Sequence, residues 1–76
     1  MNKQRRQRIN ETLEQIGALQ QEVEELKDEE QEYMDNMPEN LQSSERYEIS
    51  ESAVDNLESA IDSLSDALSY LEDASA

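Results

Sequence analysis

Carboxylates dominate the reactive groups of this sequence. Aspartate and glutamate number 20 against 6 lysines and arginines, histidine and cysteine are absent, and the formal net charge is −14. Without histidine or cysteine there is no Ser-His or Cys-His nucleophile pair, no disulfide, and no ordinary zinc ligand set. What remains is general acid-base chemistry by paired carboxylates, or oxygen ligation of calcium or magnesium. Glu29, Glu30 and Asp35 come nearest to a cluster. No calcium-loop spacing surrounds them, and carboxylates on solvated faces lack the desolvation that tunes a catalytic acid. The single glycine rules out a glycine-rich phosphate loop. The expectation is a protein that is not an enzyme and takes neither metal nor cofactor.

The charges are unevenly placed. Lys3, Arg5, Arg6 and Arg8 hold four of the 6 positive charges, and from residue 9 onward only Lys27 and Arg46 oppose the acids. Such a body repels nucleic acid and anionic membranes and favours basic protein surfaces or cations. The basic start is not followed by an apolar stretch of signal-peptide type, and no run approaches the roughly 18 apolar residues of a membrane span. Both point to a cytoplasmic protein without direct nucleic-acid or membrane partners.

The elements that carry these groups are helices. Nothing alternates with period two, so strands are not expected. Pro38, within Asn36-Met37-Pro38-Glu39-Asn40, is the one break. The chain reads as a single domain, 1–76, with a helix over about 3–36, a turn over about 37–43 and a helix over about 44–74. In the first segment the apolar positions are Ile9, Leu13, Ile16, Leu19, Val23, Leu26, Tyr33 and Met37, with Glu30 filling the skipped position. The second segment repeats every seven residues: Val54, Ile61 and Leu68 at one position, Leu57, Leu64 and Leu71 at another, and Ala53, Ala60, Ala67 and Ala74 at a third. Heptads in both segments predict coiled-coil packing. Matched lengths around one short turn predict an all-α, antiparallel two-helix hairpin. Folding the chain about residue 40 sets Val23 against Leu57, Ile16 against Leu64 and Ile9 against Leu71. It also sets Tyr33 against Tyr47 and Glu30 against Ser50, with Arg46 beside them as an ion-pair partner for Glu30.

Two features are candidates for function. The turn end gathers Tyr33, Met37, Leu41, Arg46 and Tyr47 beside the irregular backbone, and Tyr and Arg are the residue types that dominate binding hot spots. The plainer reading is that the tyrosines close the core and Glu30 pairs with Arg46 or Ser50 to fix register. The alanine stripe, Ala53, Ala60, Ala67 and Ala74, widens the apolar face of the second helix. It gives the intramolecular partner room, or it forms a second seam for a homodimeric four-helix bundle. The basic N-terminal segment is expected to reach the acidic end near Glu72 and Asp73, in its own chain or a neighbour's.

The stretch from Tyr33 to Glu48, containing Asp35-Asn36-Met37-Pro38-Glu39-Asn40-Leu41-Gln42, together with Asp55-Asn56-Leu57-Glu58-Ser59-Ala60-Ile61, resembles small acidic helical proteins encoded by phages and prophages of Gram-positive bacteria. The resemblance covers roughly residues 30–62 and carries context rather than mechanism. It implies a phage protein working in the cytoplasm of a bacterial host. A small phage protein without catalytic groups is expected to bind a host protein, a defence component among the candidates, and to inhibit or adapt it. The alternatives are a structural homo-oligomer and a sponge for a small anionic ligand built on Arg46 and the tyrosines.

Overall fold

The computed structural model describes residues 2–76. Helix α1 spans Lys3–Asp35, a single 3₁₀ turn spans Glu39–Leu41, and helix α2 spans Glu45–Ser75. There is no strand among the described residues, and α1 and α2 pack against each other as a hairpin 59 Å long and 14 by 12 Å across. No helix of the described residues is long and apolar enough to cross a membrane.

The helix ends follow from their caps. Asn2 caps α1, its side-chain oxygen accepting from the Arg5 N–H at 2.7 Å. Ser44 caps α2, its hydroxyl accepting from the Tyr47 N–H at 3.3 Å. Each cap satisfies one of the N–H groups that a helix start leaves without an internal partner. Glu45 and Glu48 lie in the first turn of α2, whereas the first turn of α1 has no acid. Only α2 therefore starts with charges that suit the helix dipole. Between the helices, Pro38 has no N–H with which to continue α1. The chain turns instead through Met37 N–H to Met34 C=O (3.1 Å) and Leu41 N–H to Pro38 C=O (2.8 Å).

Helix α2 turns the expected heptads inward: Tyr47, Ser50, Val54, Leu57, Ile61, Leu64, Leu68 and Leu71 are all buried or half-buried. Helix α1 departs from the expectation. Its inward positions alternate strictly by four and three: Ile9, Leu13, Ile16, Gln20, Val23, Lys27, Glu30, Met34 and Met37. Gln20, Lys27 and Met34 thus occupy seam positions that apolarity alone assigns to Leu19, Leu26 and Tyr33, which remain 58%, 43% and 47% exposed. The polar residues tolerate this for separate reasons. The Gln20 amide donates to the Ile61 carbonyl (3.2 Å) and lies 2.6 Å from the Ser65 hydroxyl, a cross-link that keeps the expected pairing to within about one helical turn. Lys27 lays its aliphatic stem along the seam and places its ammonium 3.4 Å from Asp28.

Packing is tightest beside the turn. Met34, Met37, Val54 and Ser50 are buried there, while the seam towards the open end is only half-buried. No side chain of the described residues is fully withdrawn from solvent. A two-layer hairpin of this length covers each helix on one side only, which limits the apolar area removed from water.

Candidate functional site

In a coiled-coil hairpin each helix has two positions flanking its seam, one on each edge. On one edge, Gln20 crosses to Ser65. On the other, Tyr33 of α1 stands across from Arg46 and Ile49 of α2. These last three line a cleft of about 620 Å³ with Glu30, Glu45 and Ser50. A second cleft, about 280 Å³, adjoins it around the turn and is lined by Tyr33, Asn36, Met37, Pro38, Leu41 and Arg46. Tyr33 and Arg46 belong to both, so they form the ridge between the two hollows.

Of the turn-end residues singled out by sequence, four are brought together here: Tyr33, Met37, Leu41 and Arg46. Met37 is buried and makes the floor, while Tyr33 and Leu41 are exposed. Tyr47 lines neither cleft and is half-buried in the α2 seam. The expected Tyr33–Tyr47 core layer does not form, because Met34 takes the seam position and turns Tyr33 outward. Nor does Glu30 pair with Arg46. Among the described residues the one ion pair is Lys27 with Asp28. Arg46 is therefore left with its charge uncommitted, on a surface otherwise crowded with carboxylates. The basic start of α1 likewise makes no ion pair with Glu72 or Asp73 of its own chain.

Sequence reasoning missed Ile49, which is 63% exposed on the rim of the larger cleft. The signal was available: Ile49 precedes the seam residue Ser50 by one position, as Tyr33 precedes Met34. Further along the same edge, Ala53, Ala60 and Ala67 are half-buried and Ala74 is exposed. Leu26 and Leu19 lie seven and fourteen residues before Tyr33, so they extend the same stripe along α1. No group of three or more metal-ligating side chains occurs among the described residues. Chemically, the turn end offers an aromatic ring, a cation, aliphatic side chains and irregular backbone. That combination suits recognition of another surface better than bond-making. No protein-family model matches the chain, and no curated protein or solved structure matches it either.

Proposed function

We propose that this chain is a non-enzymatic phage interaction protein. In this reading it forms a homodimeric helical bundle in the cytoplasm of a bacterial host. Its turn end binds a host protein and inhibits or adapts it, a defence component being one class of target. The phage setting rests on the similarity of the turn sequence. The binding role rests on one observation above all: Arg46 stands unpaired between two clefts, next to Tyr33. An unpaired guanidinium beside an exposed aromatic ring is the kind of anchor that carries binding energy when a partner desolvates it. The carboxylates around it favour a target whose surface is basic.

The larger cleft falls within the size range of small-molecule sites, which bears on the ligand-sponge alternative. Glu30 and Glu45 share that cleft with Arg46, however, and their charges oppose an anionic ligand. A protein partner is the better fit.

Affinity capture from host lysate identifies the target, and calorimetry then tests the site. Arg46→Ala and Tyr33→Ala are each expected to weaken target binding by about 2 kcal/mol, roughly 30-fold. Asp55→Asn with Asp62→Asn, on the helix faces, is expected to change it little. The opposite ranking, with steep salt dependence, would transfer the role to the acidic faces and to competition for a nucleic-acid-binding surface.

A further inference from the structure

We infer that the edge bearing Leu19, Leu26 and Tyr33 is a symmetric docking surface for a second copy of this chain, and that the two copies lie antiparallel, each turn beside the other's open end. The inference rests on the self-association proposed above and adds to it the face and the orientation.

Most of the large apolar side chains that remain exposed lie on this face. Leu19, Leu26 and Tyr33 recur every seven residues on α1 and are about half exposed, and Ile49 and Tyr70 on the same side of α2 are 63% and 74% exposed. Between the two rows runs the alanine stripe, which lets another helix approach closely. Singly exposed apolar residues are ordinary, but three that recur every seven residues on α1 beside an alanine stripe mark an association surface. The hairpin measures 59 by 14 Å, so a second copy that covers the whole face buries at most roughly 800 Å² per copy, which reaches the size of a standard interface.

Charge selects the occupant. Glu22 and Glu29 rim this face by heptad position and Glu30 and Glu45 line its cleft, offset in part by Arg5, Arg8 and Arg46. The opposite edge carries Glu24, Glu51, Glu58 and Glu72 at its flanking positions. In a chain of net charge −14, a second copy meets least repulsion here.

The orientation follows from symmetry. Leu19 is the midpoint of Lys3–Asp35 and Ala60 the midpoint of Glu45–Ser75. A two-fold axis through those levels repeats each patch against itself. Turning the second copy end for end sets Leu19 near its own counterpart. It also brings Ile49 to Tyr70, which lie eleven and ten residues either side of Ala60. On α1 the same operation brings Arg8 to Glu29 and Arg5 to the Tyr33 ring, so at the turn end the second copy and the proposed target compete for one surface. The parallel arrangement instead sets Ile49 beside Glu29, crowds the two acidic turns together and gathers both basic starts at one end.

Three measurements on the whole chain test this. Sedimentation equilibrium is expected to give twice the 8.8 kDa chain mass. Leu19→Cys is expected to form an intermolecular disulfide under mild oxidation, since the two positions fall within disulfide reach near the axis. Spin labels on Asn40→Cys are expected to lie apart by about the 59 Å hairpin length. A dimer whose Asn40 labels are close, and whose Leu19→Cys form does not cross-link, overturns the orientation and leaves self-association standing. A monomer at every concentration overturns both, and a larger assembly overturns the two-copy arrangement.

Discussion

The two long edges of the hairpin are made by the same pair of helices and differ in almost every property. Along one, Gln20 reaches across to Ile61 and Ser65, and glutamates 24, 51, 58 and 72 flank the seam. Along the other, Leu19, Leu26 and Tyr33 run beside Ala53, Ala60 and Ala67, and the seam ends in the clefts around Arg46. A net charge of −14 spread evenly would repel a second copy from every side. With the glutamates that flank the seam gathered on one edge, the other edge opposes a second copy less. The difference teaches that the acids act by position more than by number: they keep one face in water and so decide which face is left for a partner.

The strongest way to break this comparison is to charge the apolar edge. Leu19→Glu with Leu26→Glu removes four half-exposed leucines from the proposed dimer interface. At about 1 kcal/mol each for the area they still have to bury, the loss is about 4 kcal/mol, or roughly a thousandfold in dissociation constant. Glu24→Gln with Glu58→Gln, the same number of changes on the acidic edge, is expected to leave the dimer intact. Sedimentation equilibrium on both double variants, with helix content followed by circular dichroism, makes the test. Equal effects of the two would mean that the edges are not distinct.

A second substitution probes the seam that separates the edges. Met34 is buried at the turn end, where packing is tightest. Met34→Ala is expected to lower unfolding stability by about 2–4 kcal/mol, the usual cost of emptying a buried methionine site. Denaturant melts of Met34→Ala beside Leu26→Ala, read at equal protein concentration, give the ranking. A larger loss at Leu26 would place that residue in the seam and return Met34 to the surface.

That distinction marks the limit of what the sequence makes legible. The two helices, their ends and the turn are readable because Pro38, Ser44 and the repeats from Val54 to Ala74 each act locally. The observed bounds, Lys3–Asp35 and Glu45–Ser75, fall within one residue of expectation. The phase of α1 is not readable in the same way. It carries two heptad stripes one residue apart, Leu19-Leu26-Tyr33 and Gln20-Lys27-Met34, and both share Ile16 and Val23 with the seam. Choosing the more apolar residue at each level selects the first stripe, but one helix partner cannot cover both. The strict alternation wins because Gln20 finds acceptors across the seam and the Lys27 stem can lie along it. Neither gain is visible in the hydrophobicity of the residues themselves. The same rotation displaced the expected turn-end site: Tyr33 moved outward to join Arg46, and Tyr47, seven residues before Val54, stayed in the seam.

The smallest expected effect lies on the acidic edge, at Gly17. This residue falls within the long helix α1, three residues before Gln20, at a position flanking the seam. A Cβ added there would meet nothing within 4 Å, and its φ is not positive. The glycine is therefore required neither by its backbone conformation nor by a neighbour. Glycine in a helix interior costs about 0.5–1 kcal/mol relative to alanine, because the unfolded chain has more conformations to lose. Gly17→Ala is expected to raise unfolding stability by that amount and to leave the mass in sedimentation unchanged. Were the acidic edge itself an interface, a methyl group at Gly17 would intrude on the partner and reduce association. A fall in dimer mass on this substitution would therefore reverse the assignment of the two edges, whereas a small gain in stability at constant mass holds Gly17 to the solvent side.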